Sequence, residues 1–263
     1  MDTSLFFPIR REEREKKIDR LIKMEKKEGR TKQISEKLFG TIDRGDIAAL
    51  TDFKNLYPNK FPDADVNEKL KAVPWDATIL LFVGAMTVGK GLQTIIAAMP
   101  GILAEIQQTY LLIAGNGAYR DVLEGFVYAI ESGNKAAVME ICEHGFDLDF
   151  NSLKGPWQDV KAYLSDEKNL QTLLQHGKTL REHVVFLGRL DHCYLCHLFP
   201  CADFSVFPSI VPEAYGLVLM ESFSNGVVPM VSYYAGFRDG IDDVREEVGG
   251  EINELMKILY EPQ

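Results

Sequence analysis

Cysteines, long apolar runs and an excess of basic residues are what this sequence lacks. Four cysteines in 263 residues are too few to form a disulfide scaffold. The sequence shows neither a signal peptide nor an apolar run long enough to span a bilayer. A net charge of −10 argues against nucleic acid as the main partner. We therefore expect a reduced, cytoplasmic protein with no nucleic-acid partner.

The first 77 residues form a charged segment. Residues 1–40 carry 12 Lys and Arg against 8 Asp and Glu, whereas the rest of the chain is acidic. Helices with sparse apolar stripes are predicted at about residues 9–30, 31–39 and 46–55, followed by a loop with Pro58, Pro62 and Pro74. We predict that residues 1–77 pack on the following domain through a narrow apolar seam and leave their charged faces in solvent.

Strands and helices alternate from Thr78 onwards. Near-continuous apolar runs are typical of parallel strands that are buried on both faces. Strands are predicted at residues 79–84, 110–114, 184–188, 204–206 and 228–231, and helices at about 91–106, 118–131 and 134–144. This rhythm predicts a Rossmann-like α/β domain at residues 78–263, a doubly wound parallel sheet with a helical insertion at about 132–182. Ligands of such sheets bind beyond the carboxyl ends of the strands.

The stretch from Phe207 to Glu221 has the strongest functional signal. A buried strand ends at Pro208, and a helical pattern begins near Ala214. Glu213 therefore lies where a loop meets a helix, and Glu221 lies about two turns into that helix. The bare amides of a helix start attract phosphates, and two carboxylates beside them suit neutral hydroxyls, such as those of a sugar or a ribose. An ordinary helix with an acidic start would show the same two residues.

This stretch resembles the Glu-x7-Glu motif of the retaining, nucleotide-sugar-dependent glycosyltransferases of family 4, also called group 1. The resemblance implies one half of the two-Rossmann-domain fold named GT-B. It implies that Glu213 contacts hydroxyls of the donor sugar as a catalytic residue and that Glu221 binds the ribose. The backbone at the helix start is assigned to the donor as well, at Tyr215, Gly216, Leu217 and Val218.

A second motif of that family lies at the end of the first strand. The family pattern Gly-Arg-x5-Lys-Gly is matched by Gly84, Lys90 and Gly91, while Ala85 stands at the Arg position. The resemblance implies that Lys90 holds the donor diphosphate and contributes to catalysis. A solvated lysine at a strand-helix turn is the alternative. The missing arginine could mean weaker donor binding, lost activity or a compensating cation, for which Arg189 is the nearest candidate by motif position.

Two shorter elements extend the resemblance, which covers about residues 1–8, 78–131 and 183–260. The run from Phe186 to Leu190 matches the element whose backbone receives the nucleobase edge, and this assigns Gly188, Arg189 and Leu190 to the nucleotide. The turn Gly115-Asn116-Gly117 resembles a family turn near the site. Its contact with a ligand is left open.

Two patterns suggest metal binding. His192, Cys193, Cys196, His197 and Cys201 could supply zinc ligands, but their spacing also fits a short helix with free thiols. The triplets Asp63-Ala64-Asp65 and Asp147-Leu148-Asp149 resemble those of metal-dependent glycosyltransferases. Neither triplet follows a buried strand, so we expect both in solvated loops. The sequence therefore predicts no metal and no cofactor other than the nucleotide-diphosphate sugar, which is a substrate.

The function that the resemblance implies is glycosyl transfer from a nucleotide-diphosphate sugar to an acceptor hydroxyl. The start of the chain, Met1 to Pro8, resembles the segment that begins the C-terminal domain of the family. We therefore expect a donor-binding domain cut from a longer parent protein. The N-terminal domain of that parent would bind the acceptor. Any peripheral membrane contact would arise through the parent only. Two other interpretations stay open: a non-catalytic nucleotide-binding or regulatory domain, and an interaction domain built on the charged helices.

Overall fold

A parallel sheet of six strands forms the centre of the computed structural model, which describes residues 6–24, 27–148, 153–214 and 216–259. The strands are β1 Thr78–Val83, β2 Thr109–Ala114, β3 Val184–Gly188, β4 Phe204–Phe207, β5 Val228–Ser232 and β6 Lys257–Ile258. Their order is β3-β2-β1-β4-β5-β6, and every pairing is parallel. This is the strand order of the Rossmann fold, which reverses between β1 and β4. The predicted fold class is confirmed.

Helices flank the sheet and also fill the segments before β1 and between β2 and β3. They are α1 Arg14–Leu21, α2 Lys32–Asp43, α3 Val66–Ala72, α4 Leu92–Glu105, α5 Arg120–Glu131, α6 Lys135–His144, α7 Gln158–Ser165, α8 Glu167–His176, α9 Leu180–His183, α10 His192–Leu198, α11 Leu217–Ser224, α12 Ala235–Asp243, α13 Arg245–Val248 and α14 Gly250–Leu255. Short 3-10 helices lie at Arg11–Glu13, Ala48–Asn55, Val88–Lys90 and Phe199–Cys201. None of the helices in the described ranges is long and apolar enough to cross a membrane.

The core lies on both faces of the sheet. Leu81, Leu112 and Leu187 are fully buried at the centres of β1, β2 and β3. Strands covered on both sides need apolar residues at successive positions, which is why these strands could be found from the sequence. The inserted helices belong to the same core, because Trp157 is buried and its Nε1 donates to the Tyr119 hydroxyl at 2.7 Å.

Several predicted boundaries differ from the structure. The first charged helix ends at Leu21 rather than near residue 30. The helix α3 lies where the prolines predicted a loop, and it buries Val66 and Leu70 one turn apart. The helix α11 begins at Leu217 rather than at Ala214. The two residues of β6 are too few to show the periodicity of a strand. Met1 to Leu5, at the start of the resembling segment, lie outside the described residues.

The prediction that Asp63 lies in a solvated loop is wrong, because its side chain is buried in a cluster of charges. Both carboxylate oxygens accept from Arg120, each at 2.6 Å, and Lys69 donates to Oδ2 at 2.6 Å. Asp65 is half-buried and pairs with Lys69, whereas Asp147 is exposed and Asp149 lies outside the described residues. The Asp63 carboxylate ties the segment before β1 to the start of α5.

Two further buried acids, Asp121 and Glu124, extend this cluster. The guanidinium of Arg30, which is 1% exposed, pairs with Asp121 and, through Nε at 2.7 Å, with Glu124.

Burial raises the pKa of Asp63, but pairing with Arg120 and Lys69 outweighs burial and holds that pKa below its ordinary value. A lowered carboxyl pKa stabilises the fold above the unfolded pKa of about 3.9, and the contribution is lost as the pH falls through the folded pKa.

We predict that Arg120→Leu lowers the free energy of unfolding by about 3–5 kcal/mol, because Asp63 is then left buried without its main partner. Urea denaturation measures the change. The matched control is Arg238→Leu, since Arg238 is 55% exposed and forms an ion pair with its neighbour Asp239; we expect a change within about 0.5 kcal/mol. The double variant with Asp63→Leu should regain part of the loss. An effect of Arg120→Leu as small as the control's would contradict the prediction.

Candidate functional site

The loops that follow β1 and β4 touch at the point where the strand order reverses. A Cβ atom on Gly91 would lie 1.8 Å from the backbone oxygen of Pro208. The Gly89 oxygen accepts from the amide of Ile210 at 2.9 Å and from the hydroxyl of Ser209 at 3.0 Å. Glycines therefore allow the two loops to meet backbone to backbone, at the carboxyl edge of the sheet where Rossmann folds bind ligands.

The loop after β2 supports the loop after β1 from the other side. The amide of Met86 donates to the oxygen of Asn116 at 2.8 Å. A Cβ atom on Gly117 would lie 2.1 Å from the Met86 oxygen, and one on Gly115 would lie 1.8 Å from the Gly84 oxygen. The structure thus places the Gly115-Asn116-Gly117 turn beneath Gly84, as a support for the first loop.

A cleft of about 460 Å³ opens between the loops after β1 and β4. Its lining comes from both loops and from the start of α11. The lining residues are Phe82, Val83, Gly84, Ala85, Lys90, Phe207, Ser209, Glu213, Ala214, Gly216, Leu217, Val218 and Phe237. The cleft therefore brings together six residues that the sequence assigned to the site: Gly84, Lys90, Glu213, Gly216, Leu217 and Val218.

Lys90 and Glu213 form an ion pair in this cleft. The Nζ atom of Lys90 lies 2.5 Å from Oε1 of Glu213, and the Ser209 hydroxyl donates to the same oxygen at 2.9 Å. The side chains are 33% and 18% exposed, so both can still reach a ligand. The residues are 123 positions apart in the chain. The ion pair places one cation and one carboxylate side by side at the carboxyl edge of the sheet.

The start of α11 borders the same cleft. Gly216 precedes the helix and packs against Phe237, whose ring a Cβ atom at position 216 would meet at 2.5 Å. Within the described ranges the amides of Leu217 and Val218 have no backbone acceptor. Such amides carry partial positive charge and favour anions. Tyr215, which the sequence also assigned to the donor, lies outside the described residues.

Glu221 lies outside the lining of the cleft, beside the loop after β3. Its Oε1 is 3.3 Å from Nε2 of His192, and its side chain is 16% exposed. Burial raises the pKa of Glu221 above its ordinary value, and the neighbouring His192 opposes that rise. His192 begins α10, two residues after Leu190. The contact therefore joins α11 to the loop that the sequence assigned to the nucleobase.

The loop after β3 is partly covered by the segment before β1. The Arg189 amide donates to the Phe61 oxygen at 3.2 Å, and a Cβ atom on Gly188 would lie 2.7 Å from the amide nitrogen of Asp63. Leu190 is buried. The Arg189 side chain is 51% exposed, pairs with Asp191 at 3.4 Å and does not line the cleft. Its role as a cation that compensates for the missing arginine stays a prediction.

The sequence did not predict the contacts that Ser209 and His192 make with the two glutamates of the site. Ser209 is 1% exposed and contacts both loops of the cleft as well as Glu213. The Pro-Ser turn after β4 was the available signal for it. His192 was considered only as a zinc ligand. Its contact with Glu221 depends on the direction in which α10 crosses the sheet, for which the sequence has no signal.

Cys193, Cys196 and Cys201 lie on or just after α10, whereas the fourth cysteine, Cys142, is buried on α6. Burial raises the pKa of the Cys201 thiol to about 12 and also raises that of Cys196. Both thiols donate to backbone oxygens, at 3.2 Å to His197 and at 3.3 Å to Cys193. In the part of the chain that the structure describes, no three His, Cys, Asp or Glu residues are arranged to hold a metal ion. The thiols have structural partners, and the absence of a metal stays a prediction.

Comparison with known proteins points to one family. Residues 160–246 match the family model described as glycosyl transferases group 1. The chain is 28% identical over 175 residues to the uncharacterized glycosyltransferase MJ1607 of Methanocaldococcus jannaschii, and the match covers 66% of this chain and 31% of the relative. The segment that matches the family model includes Glu213 and Glu221 and begins after Lys90.

Two solved structures are also similar. Sucrose-phosphate synthase from Thermosynechococcus elongatus has a TM-score of 0.39 and 24% identity, and the match covers 78% of this chain and 37% of that one. The C-terminal domain of the group 1 glycosyl transferase LpcC from Francisella tularensis has a TM-score of 0.38 and 14% identity, with 71% and 83% covered. The chain spans about a third of the length of the methanogen relative and of the synthase.

The strand order defines a Rossmann-like α/β domain. Within it, residues 160–246 are similar to the glycosyl transferases of group 1. The resemblance to the group 1 glycosyltransferases, which Glu213 and Glu221 indicated, is confirmed by this match.

We predict that Gly91→Ala destabilises the fold more than Gly133→Ala. Both glycines have left-handed backbone angles, φ 70° and 68°, so either alanine costs about 1–2 kcal/mol. A Cβ atom at position 133 meets nothing within 4 Å, whereas at position 91 it meets the Pro208 backbone. The clash should add about 1–3 kcal/mol to the loss, measured by urea denaturation. Equal losses would show that the loops after β1 and β4 can separate freely.

Proposed function

We propose that the chain is the nucleotide-sugar-binding C-terminal domain of a retaining glycosyltransferase. The observation that carries the proposal is the ion pair of Lys90 and Glu213 near the first amides of α11, in a cleft at the point where the strand order reverses. A cation and amides suit a diphosphate, and a carboxylate suits sugar hydroxyls. The two kinds of group lie next to each other, as the two ends of a nucleotide-diphosphate sugar do.

In the proposed reaction the bond between the anomeric carbon and the phosphate oxygen breaks, and its electron pair leaves with the nucleoside diphosphate. The acceptor hydroxyl oxygen bonds to the anomeric carbon, and its proton leaves with the released diphosphate. Negative charge therefore grows on the leaving group. Lys90 and the amides of Leu217 and Val218 would stabilise that charge, which is an electrostatic contribution of the kind that dominates such catalysis.

Binding of the diphosphate would rearrange the ion pair. The Nζ atom of Lys90 has three donors, and one of them is directed at Glu213 in the free protein. A phosphate beside Lys90 would compete for this cation, and the Glu213 carboxylate would then turn towards the sugar hydroxyls. Ser209 would hold Glu213 near its present place during the exchange, because its hydroxyl also contacts the loop after β1.

Glu221 would bind the ribose. Its carboxylate is mostly buried beside the loop after β3, to which the sequence assigned the nucleobase, so the ribose would lie between base and diphosphate. We propose that no metal takes part, since Lys90 and the helix amides face the diphosphate. The acceptor site and the remaining catalytic groups would come from an N-terminal domain of a longer parent protein.

A second candidate function is favoured by Ala85. This residue lines the cleft at the family's arginine position, and Lys90 is the one lysine or arginine among the described lining residues. A single cation would hold the diphosphate less firmly than two, as in a non-catalytic nucleotide-binding or regulatory domain. Sugar transfer by the full-length parent, lost on Lys90→Met, would reject this candidate. Nucleotide binding without transfer by that parent would support it.

We predict that UDP, ADP or GDP raises the melting temperature of the chain. Lys90→Met should weaken binding of the nucleotide roughly tenfold to a hundredfold, because it removes a charge-assisted hydrogen bond. Calorimetric titration measures the affinity. The matched control is Lys135→Met, because Lys135 is exposed on α6, outside the cleft. Equal losses in the two variants would remove Lys90 from the site, and the absence of binding by all three nucleotides would reject the proposed function.

We also predict different effects for the two glutamates. Glu221→Ala should weaken a nucleoside diphosphate and its sugar derivative alike, since both contain ribose. Glu213→Ala should weaken the sugar nucleotide roughly tenfold to a hundredfold, because only that ligand has the sugar hydroxyls. It should not weaken the plain nucleoside diphosphate, since Lys90 loses a competing partner. Titration of both variants with both ligands tests this, and equal losses on the nucleoside diphosphate would contradict the assignment.

A further inference from the structure

We propose that His192 is a positioning residue for the donor and that it holds the carboxylate of Glu221 in the orientation that accepts hydrogen bonds from ribose hydroxyls. The proposal rests on the proposed function, because it gives Glu221 a partner that its role requires. Neither the resemblance nor the family match assigns a role to this histidine. It would make His192 a determinant of the preference for ribose over deoxyribose.

The contact itself is the first support. Nε2 of His192 lies 3.3 Å from Oε1 of Glu221, on helices that follow different strands. A carboxylate has two oxygens and can rotate about its last bond. The imidazole contacts Oε1, and among the described residues no partner of Oε2 is seen, so Oε2 can accept from hydroxyl groups while the contact at Oε1 restricts the rotation of the carboxylate. A ligand would then meet an oriented acceptor and would not have to order it.

The position of His192 is itself held from two sides. It is the first residue of α10, and the Asp191 oxygen accepts the amides of Tyr194 and Leu195, at 2.8 and 3.0 Å, which fixes the helix start. The ring of Phe6 meets the imidazole edge to face, with centroids 6.2 Å apart. The helix start and the Phe6 ring therefore limit the positions that the imidazole takes beside Glu221.

The exposure of the two side chains differs in a way that suits these roles. Glu221 is 16% exposed and His192 is 75% exposed. An exposed imidazole contributes little to the core, so its loss should leave the fold intact. Because the carboxylate is mostly shielded from water, its orientation depends on contacts with protein groups. Among the described side chains, the imidazole of His192 is the one in polar contact with this carboxylate and restricts its orientation.

The test compares ribose with deoxyribose ligands. UDP, ADP and GDP are titrated, and the one that binds best is compared with its 2′-deoxy and 3′-deoxy forms. The wild-type protein should prefer the ribose form. His192→Ala should lower that preference about twofold to tenfold, the range of one hydrogen bond. His192→Gln, which keeps an N–H donor, should restore part of it. In the Glu221→Ala background His192→Ala should have no further effect.

The controls separate this inference from the proposed function. His176→Ala removes an exposed histidine on α8, away from Glu221, and should not change the preference. If the wild-type protein bound none of the three nucleotides, the proposed function would fail. If it bound them with a ribose preference that His192→Ala left unchanged, or with no preference at all, the role of His192 would be rejected while nucleotide binding stood. An equal loss for ribose and deoxyribose forms would also reject it.

Discussion

The close approach of the loops after β1 and β4 is the constraint on which the candidate site depends. Gly91 lies against the Pro208 backbone, and Ser209 contacts Gly89 and Glu213 together. A parallel sheet whose strand order reverses between these two strands separates their helices and leaves a crevice. The glycines then decide how narrow that crevice is. A side chain at position 91 would clash with the Pro208 backbone, so the two loops that carry Lys90 and Glu213 would have to shift.

The ion pair in the cleft gives the free protein a nearly neutral site. An acidic chain would repel a diphosphate on approach, and Lys90 alone is the cation that the lining offers among the described residues. Its partner Glu213 lowers the cost of keeping that cation half-buried while no ligand is present. In the proposed function the same carboxylate becomes useful when the phosphate takes the cation. The two ends of the donor would therefore be recognised in a coupled way.

The sequence predicted the parts that depend on local pattern. The strands β1 to β5 were visible because buried parallel strands leave apolar runs whatever their partners are. The family resemblance assigned Lys90 and Glu213, which follow two such strands, to one donor site. The burial of Asp63 could not be predicted, since its partner Arg120 lies 57 residues away. The contact of His192 with Glu221 depends on how α10 crosses the sheet, and β6 has only two residues.

The charge cluster around Arg120 affects how the molecule opens. Asp63, Arg30 and Lys69 all come from the segment before β1, and their partners lie at the start of α5 or within the segment itself. If that segment came loose while the sheet stayed folded, Arg120 would lose Asp63 and Asp121 would lose Arg30 as counter-charges. Partial opening is therefore costly. Amide hydrogens of α2 and α3 should exchange with deuterium only through global unfolding, so these outer helices belong to the same cooperative unit as the sheet.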